Sequence, residues 1–176
     1  MKKILLSILW LPAMFSAQQN ITKDVEIQKY VSEVSSDSLK AHINRLVSFG
    51  TRHTMSSTTD PKRGIGAARN WVLKKFKDYA KNSDGRIEVY LLNQIIQPDG
   101  KRINQPTDLG DAIAVLHGTN PNDQRIFMIG GHLDSRVTDV LNSKDTAPGA
   151  NDDGSGVGAV LETARILSKS KFPATV

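Results

Sequence analysis

The chain has 176 residues, 39% of them hydrophobic and 23% charged, with 13 glycines and no cysteine, a composition that fits an ordinary globular domain and excludes disordered, collagenous and coiled-coil classes. Without cysteine there is no disulfide framework, thiolate zinc finger, iron–sulfur centre or cysteine nucleophile. Any metal therefore has to be held by His, Asp, Glu or backbone oxygen, and there are only 4 histidines.

Lys2 and Lys3 precede the apolar run Ile4 to Leu11, and the small residues Ala13, Ser16 and Ala17 follow, which is the order of a secretory signal peptide. The run is short of the roughly 20 residues that cross a bilayer, and Pro12 interrupts it. Residues 1–17 are expected to be a signal peptide cleaved after Ala17, with 18–176 exported to a periplasmic or extracellular compartment and holding no stable membrane anchor. Removing 1–17 lowers the formal charge from +5 to +3. Lys74, Lys75 and Lys77 form the densest basic group but lack the interleaved aromatics of a nucleic-acid surface, so no nucleic-acid partner is expected. Asn20-Ile21-Thr22 fits a glycosylation acceptor beside the cleavage site.

In the mature segment, Val25 to Val34 has helical spacing, and Ser35-Ser36-Asp37 offers caps for a second helix carrying Leu39, Ile43, Leu46 and Val47 on one face. Both are expected to be packing elements. Ser48 to Asp60 reads as a loop, and Pro61 suits the first turn of a long helix to about Tyr79, with Ile65, Ala68, Val72, Phe76 and Tyr79 on its buried stripe. Beyond the turn at Asn82 to Gly85, strands are predicted over Ile87 to Ile96, Ala112 to Leu116 and Ile126 to Ile129. A helix with a Val157, Val160, Leu161, Ala164 and Leu167 stripe follows. Helices on either side of buried-looking strands indicate a layered α/β domain. After Pro173 the strand formers Thr175 and Val176 end the chain, leaving the last helix's stripe without a cover, so the chain is expected to be the front part of a longer protein.

The chemistry concentrates between Gly130 and Leu161. His132 and Asp134 stand two residues apart at the carboxyl end of the third predicted strand, on the same side by alternation, where open α/β sheets bind ligands. A carboxylate there can accept the second N–H of a metal-binding imidazole and fix its tautomer. Twenty residues after His132 comes Gly149-Ala150-Asn151-Asp152-Asp153-Gly154-Ser155-Gly156, just ahead of the last helix. Taken alone, His132 reads equally as a structural histidine, and Asp152 and Asp153 as helix caps. Taken together they point to a metal site, since glycines allow close backbone approach and an Asp can bridge two divalent cations.

Gly-Gly-His132-Leu-Asp134-Ser followed by Ala-Pro-Gly-Ala-Asn-Asp152-Asp153-Gly-Ser-Gly resembles the first half-site of the co-catalytic zinc aminopeptidases, the family that includes secreted bacterial leucyl aminopeptidase. The likeness covers Ile126 to Leu167 and extends more loosely to Phe49-Gly50-Thr51-Arg52-His53 and Gly64 to Ala68. It implies a three-layer sandwich with a mixed, mostly parallel sheet, and a zinc-dependent exopeptidase acting on peptides with a free amino terminus. By the same likeness His132 binds one zinc, Asp152 bridges two, and Asp134 is the active-site residue that orients His132. Asp153 is a neighbour joined to Asp152 by a cis peptide bond. The family's Glu-Glu pair, which supplies the general base and a ligand, its further acidic ligand and its late His have no counterpart here, so this stretch alone is expected to be inactive and poorly folded.

Other titratable residues carry less. His53 in its polar loop is expected to be structural, His42 and His117 structural or exposed. Glu162 lies ten residues beyond Asp152, roughly 15 Å along a helix, too far to act as general base. Within the same fold, a single-zinc glutaminyl cyclase is the alternative activity, although it lacks the Asp-Asp-Gly-Ser-Gly run. A noncatalytic receptor-type relative is the other, and the intact His132, Asp134 and Asp152 count against it.

Overall fold

The computed structural model describes residues 24–176; the expected signal peptide and the Asn20 acceptor lie outside them. The elements are α1 (Val25–Ser32), α2 (Ser36–Val47), α3 (Ile65–Ala80), β1 (Ile87–Ile96), β2 (Thr107–Leu116) and α4 (Ser155–Leu167). None of these helices is long and apolar enough to cross a membrane.

Local chemistry sets the helix starts. Asp24 caps α1 by accepting from the amides of Glu26 and Ile27, and Ser35 caps α2 by accepting from that of Ser38. The third helix begins at Ile65 rather than at Pro61. Asp60 takes the amides of Lys62 and Arg63 into a local turn, and Gly64 adopts a left-handed φ of 92°, so the chain cannot be helical before residue 65.

The core joins three of the helices to one face of a hairpin. Leu46, Val72, Phe76, Tyr79, Val157 and Leu161 form the buried cluster, with Val89, Ala112 and Ala114 of the hairpin against it. A second cluster of Phe49, Ala67 and Ala68 is linked to the first through Trp71 and Leu133. Each fully buried side chain of this size contributes about 1.5–3 kcal/mol. Two expectations about packing fail. The α1 helix buries none of its residues, and Val25 and Val31 stay exposed. The stripe on α4, by contrast, is largely covered, because Val157 and Leu161 are buried and Val160, Ala164 and Leu167 half-buried, with α2 and α3 packed against the helix. The uncovered apolar run is Ile126 to Ile129, with Met128 91% exposed.

The chain has the α/β class expected. Strands β1 and β2 pair antiparallel in continuous register from Ile87 opposite Leu116 to Ile96 opposite Thr107. Thr175 and Val176 lie beside the end of this hairpin. Val176 and Leu116 exchange both backbone hydrogen bonds, and Thr175 forms a parallel bridge with Ile126. Among the described residues the sheet of β1 and β2 is two-stranded, the parallel bridge lies outside it, and 127–129 do not extend that bridge into a strand. An extended segment becomes a strand only where a neighbour meets its amides and carbonyls, and Thr175–Val176 reach only its first residues.

Candidate metal centre

Two backbone segments meet at the start of α4. Gly131 passes close to it: a Cβ at that position would stand 2.9 Å from the Val157 amide nitrogen. The following residue, His132, donates its backbone N–H to Asp153 Oδ2 at 3.1 Å, while Asp153 Oδ1 accepts from the Gly156 amide at 3.1 Å. Asp153, one residue ahead of the Gly154 cap position, therefore takes a first-turn amide of α4 and docks the 130–134 segment onto it. This is the helix-start role that the pair of acids suggested, carried by one of them. The backbone from Ala150 to Gly154 makes a single wide turn, interrupted at Asp152 and Asp153 by non-helical dihedrals and a cis peptide bond between them. Asp152 takes no part in that arrangement.

The side chains of His132, Asp134 and Asp152 converge. His132 Nδ1 lies 3.2 Å from Asp134 Oδ1, and His132 Nε2 lies 3.0 Å from Asp152 Oδ1. Because a carboxylate only accepts, each ring nitrogen donates to the acid it faces, Nδ1 to Asp134 and Nε2 to Asp152, so the pair as it stands favours the imidazolium. Burial pulls the His132 imidazole down. The charges of Asp134 and Asp153 and the hydrogen bond to Asp134 outweigh that, so its affinity for a proton is raised overall. The Asp152 side chain is 88% exposed and that of His132 56%, so both donors face solvent. A cavity of about 230 Å³ reaches from His132 and Asp134 inward between the hairpin and α4, lined there by Ala112, Val157 and Leu161.

This donor set suits a zinc-type ion in part. An imidazole nitrogen whose other nitrogen is held by a carboxylate, aimed at a second, solvent-facing carboxylate, is the arrangement that metal-binding histidines take. Among the described residues no group of three or more His, Asp or Glu is placed to hold a metal. His132 and Asp152 thus amount to two donors where a closed site needs four.

One residue that composition and motif did not single out organises the centre. Arg52 is 1% exposed. Its Nε donates to Leu133 O at 2.7 Å, its Nη1 to Leu46 O at 3.0 Å and Pro148 O at 2.8 Å, and its Nη2 to Gly149 O at 2.9 Å. Its backbone N–H donates to Ser135 Oγ, which in turn donates to Ala147 O. Burial lowers the guanidinium's pKa, opposed by the charges of Asp134 and Asp153. The loop it grips turns at Gly149, whose φ is 48° and where a Cβ would stand 2.8 Å from Arg52 Nη2 and 2.7 Å from Asp152 O. Both the left-handed backbone and the close packing exclude a side chain there. An arginine inside an otherwise loop-like, glycine-containing stretch was the available signal.

The remaining histidines are engaged elsewhere. His53 is buried, its Nε2 donating to Val140 O at 3.1 Å and its Nδ1 accepting from the Met55 amide at 3.0 Å. His42 is buried against Ser38 and Tyr79, and burial followed by the charge of Lys75 lowers its pKa. His117 is exposed beside Glu88 at 3.3 Å. Glu162 is buried and bound to Arg165 and to the Ser35 amide, away from the centre.

Residues 111–176, which include His132, Asp134 and Asp152, match Peptidase family M28. The chain is 43% identical over 153 residues to a protein of Pyricularia oryzae named a probable zinc metalloprotease, covering 87% of this chain and 30% of that protein. It is 30% identical over 152 residues to leucine aminopeptidase 1 of Grosmannia clavigera, covering 86% and 33%. The chain spans about a third of the length of the curated relatives it matches. Among solved structures, LapB from Legionella pneumophila aligns with a TM-score of 0.60 at 21% identity, over 88% of this chain and 37% of that one. Glutaminyl cyclase from Tannerella forsythia aligns with a TM-score of 0.59 at 22% identity, over 81% and 44%. The chain thus resembles Peptidase family M28 in sequence across residues 111–176, and across 88% of its length it shares the fold of LapB.

Proposed function

We propose that the protein is an exported, zinc-dependent exopeptidase that removes residues from the free amino terminus of peptides, with His132 and Asp152 as metal ligands and Asp134 as the residue that aims His132. The observation that carries this reading is the convergence of His132 Nε2 and Asp152 Oδ1 at 3.0 Å, with Asp134 on the far ring nitrogen. A two-zinc site would use Asp152 as its shared carboxylate, and the high exposure of that side chain is compatible with the role. Zinc, when bound, supplies Lewis acidity toward the scissile carbonyl and toward a water molecule.

The chain's own residues have narrower tasks. With a metal in place of the Nε2 proton, His132 would present the Nε2 lone pair to it while Asp134 holds the proton on Nδ1. Asp153 keeps the His132 backbone against α4, and so sets the height of the imidazole relative to Asp152. The general base and the other ligands of the family pattern have no counterpart among these residues.

The test is hydrolysis by the full-length protein of two peptides identical except for an acetyl group on one amino terminus. Release of the first residue from the free peptide only, lost on chelation and restored by zinc, supports the reading; metal-independent cleavage or equal cleavage of both peptides contradicts it. Inclusion of an amino-terminal Gln peptide separates the glutaminyl cyclase alternative, which closes the ring without releasing a residue. In the same assay Asp134→Asn, which keeps the shape and loses the charge, should lower zinc affinity or turnover by about 10–100-fold. Unchanged zinc content and turnover would remove Asp134 from the site.

A further inference from the structure

We infer that Arg52, which makes no hydrogen bond to the side chain of His132 or Asp152, is a positioning residue that sets the spacing of these two side chains by clamping the backbones that carry them. The inference rests on the metal-site reading above and extends it to a residue outside the His132 to Asp153 stretch.

The clamp joins both halves of the centre. Leu133, whose carbonyl receives Arg52 Nε, sits between His132 and Asp134, while Pro148 and Gly149, whose carbonyls receive Nη1 and Nη2, begin the turn that carries Asp152. Gly149 O also accepts from the Gly154 amide at 2.9 Å, so the guanidinium holds the closing point of that turn. A guanidinium is a planar fork with fixed angles between its donors. Its grip on carbonyls from two chain segments therefore fixes those segments relative to each other. The neighbouring backbone repeats the connection, because the Arg52 N–H reaches Ser135 Oγ and Ser135 Oγ reaches Ala147 O.

The manner of burial supports positioning rather than simple charge balance. Fully buried arginines are normally paired with an acid, yet no carboxylate among the described residues lies within ion-pair distance of Arg52. All four of its side-chain hydrogen bonds go to backbone carbonyls. Lysine would keep the charge but present a single point that cannot span Leu133 and Gly149 together.

The test compares wild type, Arg52→Lys and Ser135→Ala in the full-length protein. Zinc affinity is measured by chelator competition at a temperature where circular dichroism reports a folded chain. Arg52 stands one step further from the metal than the outer partners whose loss weakens affinity by about 10–100-fold, so a loss at the low end of that range, about tenfold, is expected for Arg52→Lys. A merely structural role would lower the melting temperature and leave the folded protein's zinc affinity at the wild-type value, which would overturn the inference. If Arg52→Lys does not fold, Ser135→Ala decides. A several-fold weaker affinity with an unchanged melt supports the clamp, and wild-type affinity overturns it. A wild-type protein that takes up no zinc contradicts the metal-site reading itself, and that result is visible before any variant is compared.

Discussion

Replacing His132 by alanine in the full-length protein is expected to abolish most of its metal-dependent hydrolysis, by roughly a thousandfold or more, with almost no change in folding. Lewis-acid stabilisation is worth several kcal/mol, and each 1.36 kcal/mol is tenfold in rate. The structural cost is small because the partners that lose contact, Asp134 and Asp152, have side chains 45% and 88% exposed and return to water. Surface changes of this kind stay within about 0.5 kcal/mol. Steady-state kinetics and a thermal melt on the same preparation check both halves. Turnover near the wild-type value would exclude His132 as a ligand, and a collapsed melt would reassign it to the fold.

Substitution of Arg165 by methionine should instead destabilise the fold while leaving the centre's chemistry alone. Glu162 is 2% exposed and accepts from Arg165 Nε at 2.9 Å, from Arg165 Nη2 at 2.7 Å and from the Ser35 amide at 2.7 Å. Arg165 also donates to Glu33 O, so the pair ties α4 to the junction of α1 and α2. Removing one partner of a buried pair costs about 3–5 kcal/mol, because the remaining charge is stranded. Arg165, helped by the Ser35 amide and opposed by burial, holds the Glu162 carboxyl at about 2, below its ordinary 4.5. A depressed acid stabilises the folded state above its unfolded pKa. This contribution, about 3 kcal/mol, is therefore complete above pH 4.5 and lost as pH falls toward 2. Denaturant midpoints at neutral and acidic pH should show the wild type losing stability across that window and Arg165→Met losing less of it. Parallel acid profiles for the two proteins would mean that the pair is not the source.

Much of this arrangement is legible in the amino-acid sequence. Spacing locates α2 and α4, whose apolar period is intact, and the run of branched and aromatic residues locates all of β1. The boundaries that differ do so for local reasons. Gly64 and the Asp60 turn delay α3, and β2 begins earlier than its apolar run because Asp108 and Gly110 interrupt the pattern while β1 still supplies their backbone partners. Asp108 is acceptable there because it meets Arg69, a residue of α3, at 3.0 Å, a tertiary contact that no window of sequence contains.

The centre divides in the same way. His132, Asp134 and Asp152 are visible as residue types in a motif, and their juxtaposition follows from two segments brought to the head of one helix. The resemblance already gives the ligand role to Asp152 and a neighbour's place to Asp153, but the docking of the His132 backbone by Asp153 is not legible, because a backbone amide carries no sequence signature. Arg52 is not identifiable as the clamp because its partners are carbonyls, which carry no sequence signature.

The central claim is that His132 and Asp152 share a metal ion, and anomalous scattering at the zinc edge from zinc-soaked crystals of the full-length protein tests it most directly. The account predicts a peak roughly 2.0–2.2 Å from both His132 Nε2 and a carboxylate oxygen of Asp152, with Asp134 retained on Nδ1. A zinc peak ligated by other residues, with His132 and Asp152 still paired to each other, would contradict it.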